Sequence, residues 1–346
     1  MAPLSWTLLL GGLLVGTTIT LSSYHWLIAW VGLELNTLAI TPIITKQHHP
    51  RSTEAAIKYF MAQAAASALI MFASTLNAWT TGQWTLPELQ SKPAILLLTL
   101  ALAMKLGLAP THFWVPEVMQ GSTLSTALLL TTWQKIAPIT LLYMTTNHLS
   151  TPLLMTFGLL SVVVGGFTGL NQTQVRKILA FSSIAHMGWL LLALPLSQNL
   201  ALMTAALYFI TTGAVFIALI ATSTKTITDL GPTWTDSPVM VTSMMFSLLS
   251  LGGLPPLSGF LPKWLILKEM TQMDLKALSL IVVMASLPSL YFYLRLAYLL
   301  TMTAPPTTYT TSHPWRWKPN TPPCTTKTLI AACMLLPALP QLYNLT

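Results

Sequence analysis

The sequence predicts an all-α polytopic membrane protein of about eleven spanning helices, read as two inverted five-helix repeats with broken fourth and ninth helices. Three observations predict this class. Apolar runs of about 20 residues, long enough to cross a bilayer as helices, consume nearly the whole chain. Only 7% of the 346 residues are charged, against about 25% in soluble domains. The runs are continuous and lack the alternation of a spanning barrel, which leaves the helix as the structure that satisfies its own backbone in lipid.

The helices are expected at about 3–22, 25–45, 55–80, 93–121, 124–146, 149–171, 176–195, 198–222, 237–271, 275–300 and 326–345. The first starts at Pro3 without a basic leader, so insertion through that helix is expected in place of a cleaved targeting segment. GLLVG at 12–16 and GGFTG at 165–169 have the small-residue spacing of close helix contacts. The fourth run is too long for one span and contains Pro110 and Pro116; the ninth is longer still and contains Pro255 and Pro256. Proline removes a backbone donor and clashes with the preceding turn, so each run is expected to break there. A break at membrane depth is tolerated only where it is packed in protein or lines a watery cavity.

The two breaks fall five helices apart, an odd number, so two five-helix units would have opposite orientations in the membrane. Interrupted segments at matching places in inverted halves point to a transport site. On this offset Glu34 corresponds to His186, Lys105 to Lys263 and, more loosely, Lys135 to Arg295. The expected division is 1–147 for the first repeat, 148–300 for the second, 301–325 for a Pro/Thr-rich connection and 326–346 for a last helix. Alternate loops carry eight basic residues on one side, Lys46, Arg51 and Arg176 among them, against three on the other. That imbalance places the N-terminus on the positive inner side and, with an odd number of spans, the C-terminus opposite.

Four ionisable groups stand within or beside these apolar segments: Glu34, Lys105, Lys135 and Lys263. Each costs about 2.5–3.5 kcal/mol to place in the hydrocarbon core, or about 10–14 kcal/mol together. They are the candidates for a charge or proton path. Glu34 and Lys135 are central in their spans, and the competing reading of each is a structural ion pair, with each other if the helices allow. Lys105 falls in the last turn before the Pro110 break, where free carbonyls suit an ammonium. Lys263 falls after its break, nearer an amino-terminal helix end that does not, so the two lysines are expected to be poised unequally. Burial alone leaves Lys263 balanced between this role and snorkelling to an interface. His112 and His186 can relay protons near neutral pH, with a hydrogen-bonded core histidine as the plainer role, favoured for His112. Glu117, after Pro116, reads as a helix cap.

The net charge of +8 lies mostly in short loops and reports topology, and no basic, aromatic-interleaved patch suggests nucleic acid. GxGxxG and GK[ST] are missing, and Cys324 and Cys333 fit no zinc or iron–sulfur spacing. No cofactor or metal is therefore expected in this chain.

TTWQKIAPI at 131–139, VRKILAFSSIAHMGW at 175–189 and SLGGLPPLSGFLPKW at 250–264 resemble the antiporter-like membrane-arm subunits of respiratory complex I, in the mitochondrially encoded vertebrate form. The resemblance covers essentially the whole chain. It implies a location in the mitochondrial inner membrane, the N-terminus facing the matrix, and the family's proton-path residues at Glu34, Lys105, Lys135 and Lys263, with His112 and His186 secondary. It also implies that NADH, FMN, iron–sulfur clusters and ubiquinone belong to partner subunits, and that the partners are other membrane-arm and accessory subunits and lipids. Two other functions share the architecture: a cation/proton antiporter subunit, and a structural spacer whose charges are locks.

Overall fold

The computed structural model describes residues 3–302, apart from residue 237, together with residue 332. Cys324, Cys333, most of the Pro/Thr-rich connection and the expected last helix lie outside the described residues. Among those described, the chain is α-helical without named strands: α1 Pro3–Ser22, α2 Trp26–Ile44, α3 Pro50–Thr81, α4 Lys92–Leu106, α5 Trp114–Gly121, α6 Leu124–Thr131, α7 Trp133–Thr145, α8 Thr151–Gly169, α9 Val175–Ala193, α10 Gln198–Thr222, α11 Thr233–Asp236, α12 Pro238–Gly252, α13 Phe260–Gln272 and α14 Lys276–Met302.

Seven of these, α1 to α3, α8 to α10 and α14, are long and apolar enough to cross a membrane singly. The remaining expected spans among the described residues are each divided in two, as α4 with α5, α6 with α7 and α12 with α13. The chain is a multi-pass membrane protein. Its outer faces are apolar, as lipid contact requires: on α14, Leu280, Met284, Leu287, Tyr291, Leu294 and Tyr298 are exposed at helical spacing along one side.

The helix starts follow local chemistry. His25 accepts the Leu27 N–H through Nδ1 and caps α2. α3 begins at Pro50, earlier than the sequence expectation of 55, because His49 and Ser52 form a reciprocal capping box with Pro50 in the first turn. Gln83 to Leu86 lie after this helix, and Trp84 O and Leu86 N bond the turn between α1 and α2. The turn between α8 and α9 is bonded in the same manner by Lys225 and Ile227, in the loop after α10. In that loop Asp229 accepts the Thr226 N–H at 2.8 Å and the Lys225 N–H at 3.2 Å, and these bonds hold its carboxyl below the ordinary carboxylate range.

Two compact units divide the chain, Met1–Ser161 and Val162–Thr346. In the first, α1 meets α2 at glycines on both sides: a Cβ added at Gly16 would lie 2.9 Å from Gly32 O, and one added at Gly32 would lie 2.8 Å from Gly16 O. In the second, the end of α8 packs on α9, where a Cβ at Gly165 would lie 2.7 Å from Ala185 N. GLLVG and GGFTG are therefore close helix contacts, as their spacing predicts.

Both expected breaks are present. α4 stops at Leu106, and Gly107 turns the chain at φ +74. α12 stops at Gly252, and Gly253 does the same at φ +85. Only glycine takes this left-handed turn without steric cost. The prolines stand in the segments that follow.

One expectation is corrected. The span at 124–146 is interrupted at Thr132, between α6 and α7. The hydroxyls of Thr131 and Thr132 both bond back to Leu128 O, at 3.1 and 2.7 Å. Such bonds compete with the backbone ladder and bend helices. Pro138, inside α7, removes a further ladder donor.

Candidate functional site

The first unit gathers its charges around the α4 break. Glu34 stands in the middle of α2, and Lys105 in the last turn of α4, 5% exposed. The Glu34 carboxylate is near enough to act electrostatically on both Lys105 and the Tyr59 phenol. The pair is nevertheless not in contact: Glu34 Oε2 and Lys105 Nζ are both buried without a hydrogen-bond partner. A half-buried carboxylate and a buried amine that interact without touching are an unusual expense in an apolar interior, where each lost partner is felt strongly. Lys135 lies in the first turn of α7, also 5% exposed, beside the Thr132 interruption.

His112 sits inside the break, 7% exposed, with its ring against Phe113 at 4.4 Å and its Nδ1 buried without a partner. Glu117 is in the first turn of α5, and its carboxylate pairs with Lys58 at 2.7 Å. Lys58 in turn pairs with Glu54 at 2.6 Å.

Sequence reasoning passed over three polar residues of this unit. Tyr59 donates to Gln134 Oε1 at 3.3 Å, Gln134 Nε2 donates to Asn36 O at 3.4 Å, and Gln63 Nε2 donates to Lys105 O at 3.4 Å. Gln63 and Gln134 were visible as polar residues within apolar runs, but their partners are far away in sequence.

The second unit brings His186 and Lys263 to one cavity. It has a volume of about 30 Å³ and is lined by these two residues with Trp189, Tyr208 and Ser250 among others. That volume holds one or two water molecules. His186 Nε2 is 3.2 Å from the Tyr293 hydroxyl, and its ring lies 5.6 Å from that of Tyr208.

Lys263 corrects a second expectation. It follows the break, in the first turn of α13, but its Nζ reaches back across the break to donate to Gly252 O at 2.9 Å and Leu251 O at 3.3 Å. The group engages the carbonyl end of α12 and not the N–H end of α13, because the glycine turn at 253 brings those free carbonyls within reach of its side chain. It is half-buried and directed inward, so it does not snorkel. Arg295, the loose counterpart of Lys135, donates instead to Leu170 O just past the end of α8, at 3.0 Å. Among the described residues no cluster of His, Cys, Asp or Glu could hold a metal.

Comparison with known proteins gives this geometry its setting. Residues 23–289 match the membrane family described as NADH:quinone oxidoreductase/Mrp antiporter, and residues 290–343 match the NADH dehydrogenase subunit 2 C-terminus. The NADH-ubiquinone oxidoreductase chain 2 of Mareca americana is 51% identical over 345 residues, 99% of each chain. That of Tetraodon nigroviridis is 50% identical over 349 residues, covering 100% of both. Among solved structures, a chain of respiratory complex I from Thermus thermophilus superposes with a TM-score of 0.86 at 30% identity, covering 99% of this chain and 79% of that one. The chain therefore belongs to the NADH-ubiquinone oxidoreductase chain 2 family, within the antiporter-like membrane proteins.

Proposed function

We propose that this chain is the proton-translocating membrane subunit of respiratory complex I that couples electron transfer from NADH to ubiquinone to proton movement, by a relay through Glu34, Lys105, Lys135 and Lys263 with His112 and His186 assisting. It works in the mitochondrial inner membrane with its N-terminus toward the matrix and its C-terminus toward the intermembrane space. NADH, FMN, the iron–sulfur clusters and ubiquinone are bound by partner subunits. Its own partners are the neighbouring membrane-arm and accessory subunits and lipids.

The single observation that carries this reading is the separated Glu34–Lys105 couple, a half-buried carboxylate and a buried amine that interact without contact. A lock would close into an ion pair with its hydrogen bonds satisfied. A relay needs a charge that can be turned over, and an open couple allows it. A change arriving from a neighbouring subunit alters the Glu34–Lys105 interaction, and the proton moves by way of Lys135 toward Lys263 and out. The second unit supports the outer step, since His186 and Lys263 share a water-sized cavity. Moving one charge against the membrane potential requires about 2.3 kcal/mol per 100 mV, and a change of about two pKa units supplies roughly 2.7 kcal/mol.

The test is Lys135→Met in the assembled complex, with protons moved per NADH oxidised as the measurement. A lowered ratio at retained NADH oxidation is expected. An unchanged ratio would make the charges locks and the chain a spacer. Ion-dependent proton flux without NADH would favour the antiporter reading.

A further inference from the structure

We infer that Tyr59 and Gln134 form a side-chain bridge that fixes Lys135 relative to Glu34, and so are positioning residues of the relay. The inference rests on the proposed function and extends it to residues outside the charged set.

The bridge joins three helices. Tyr59 on α3 is 1% exposed and donates its hydroxyl to Gln134 Oε1 on α7. Gln134 Nε2 donates to the backbone oxygen of Asn36 on α2, two residues from Glu34. Both ends of the Gln134 amide are thereby used, oxygen toward a hydroxyl donor and nitrogen toward a carbonyl, the one orientation that satisfies both partners. The Tyr59 ring is itself held. Trp114 meets it edge-on, with centroids 5.7 Å apart at 69°, and Trp114 Nε1 donates to Met104 O at 3.1 Å, next to Lys105.

Placement gives the bridge its consequence. Gln134 lies between the Thr132 interruption and Lys135, in the turn where α7 restarts. A restarted helix has few ladder bonds to hold its first turn; here the Lys135 N–H donates to Thr132 O, at 3.2 Å. A side chain anchored to α2 and α3 adds a restraint one residue from the lysine. The same bridge is exposed to the state of Glu34. The Glu34 carboxylate acts on the Tyr59 phenol, and a phenol has a single proton to donate. A purely packed site would use Phe and a methionine or leucine of similar shape and would need no pairing.

The experiment compares Tyr59→Phe, Gln134→Met, the double variant and Lys135→Met in assembled complex I reconstituted into vesicles. Two quantities are read: protons moved per NADH oxidised, and the thermal midpoint of the complex. The bridge predicts that each single variant lowers the proton ratio while uncoupled NADH oxidation stays within about twofold, and that the double variant loses no more than the worse single one. A bond that only stabilises the fold would lower the midpoint and leave the ratio unchanged, and that result overturns the inference if Lys135→Met does lower the ratio. Additive losses in the double variant overturn it too. An unchanged ratio in Lys135→Met removes the relay reading itself. Should Gln134→Met fail to assemble, Tyr59→Phe, which deletes one oxygen, decides alone.

Discussion

The two broken helices carry the same residue type at opposite sides of their breaks, and they hold it in opposite ways. Lys105 precedes Gly107 and keeps its Nζ buried and unpartnered, with Glu34 acting on it from a distance. Lys263 follows Gly253 and anchors its Nζ on the carbonyls of Leu251 and Gly252. One lysine therefore stands ready to respond to a charge, while the other closes its break and faces a small cavity. A broken helix supplies free carbonyls in both cases, and the side of the break from which the lysine approaches decides whether it can use them.

The contrast can be broken by substitution. The largest effect on stability is expected at the turns. Gly107→Ala forces a side chain into the left-handed region and into overlap with Val115, a buried neighbour. The two penalties together are about 2–5 kcal/mol. At Gly253 the added Cβ would meet the flexible Lys263 chain, at 3.0 Å from Nζ, so Gly253→Ala should destabilise less and disturb Lys263 more. Thermal unfolding of the assembled complex reads the first, and proton movement per NADH the second.

Next comes Lys263→Met. It strips α12 of the donor that satisfies two of its last carbonyls, a loss of about 1–3 kcal/mol. Tyr293→Phe should be milder, about 0.5–1.5 kcal/mol, since it deletes only the hydroxyl that meets His186 Nε2; a lowered thermal midpoint with unchanged assembly checks it. The smallest stability effect belongs to Lys105→Met. Its amine has no bond to lose, and replacing an unpartnered buried amine by an apolar chain is neutral or stabilising. Equal destabilisation by Lys105→Met and Lys263→Met would erase the contrast.

Much of this was legible in the sequence, for physical reasons. Proline in an apolar run announces a missing backbone donor, so both breaks could be placed at Pro110 and at Pro255 with Pro256. A charge amid apolar residues announces its own cost, so Glu34, Lys105, Lys135 and Lys263 stood out. What stayed hidden depended on direction or on distant partners. The reach of Lys263 back across its break follows from the turn at Gly253, not from its place after the prolines. The Thr132 interruption coincides with two hydroxyls bonding to Leu128 O, and threonine in a span more often bonds this way without a break. The Tyr59–Gln134 bridge joins residues 75 positions apart, and neither has a local pattern that names the other.

The central claim is that Lys105 is held unpartnered for proton transfer and not for structure. The most direct measurement is the number of protons moved per NADH by assembled complex carrying Lys105→Met, with its thermal midpoint recorded alongside. The account predicts a lowered proton ratio with the midpoint held or raised. A lowered midpoint with an unchanged proton ratio would contradict it.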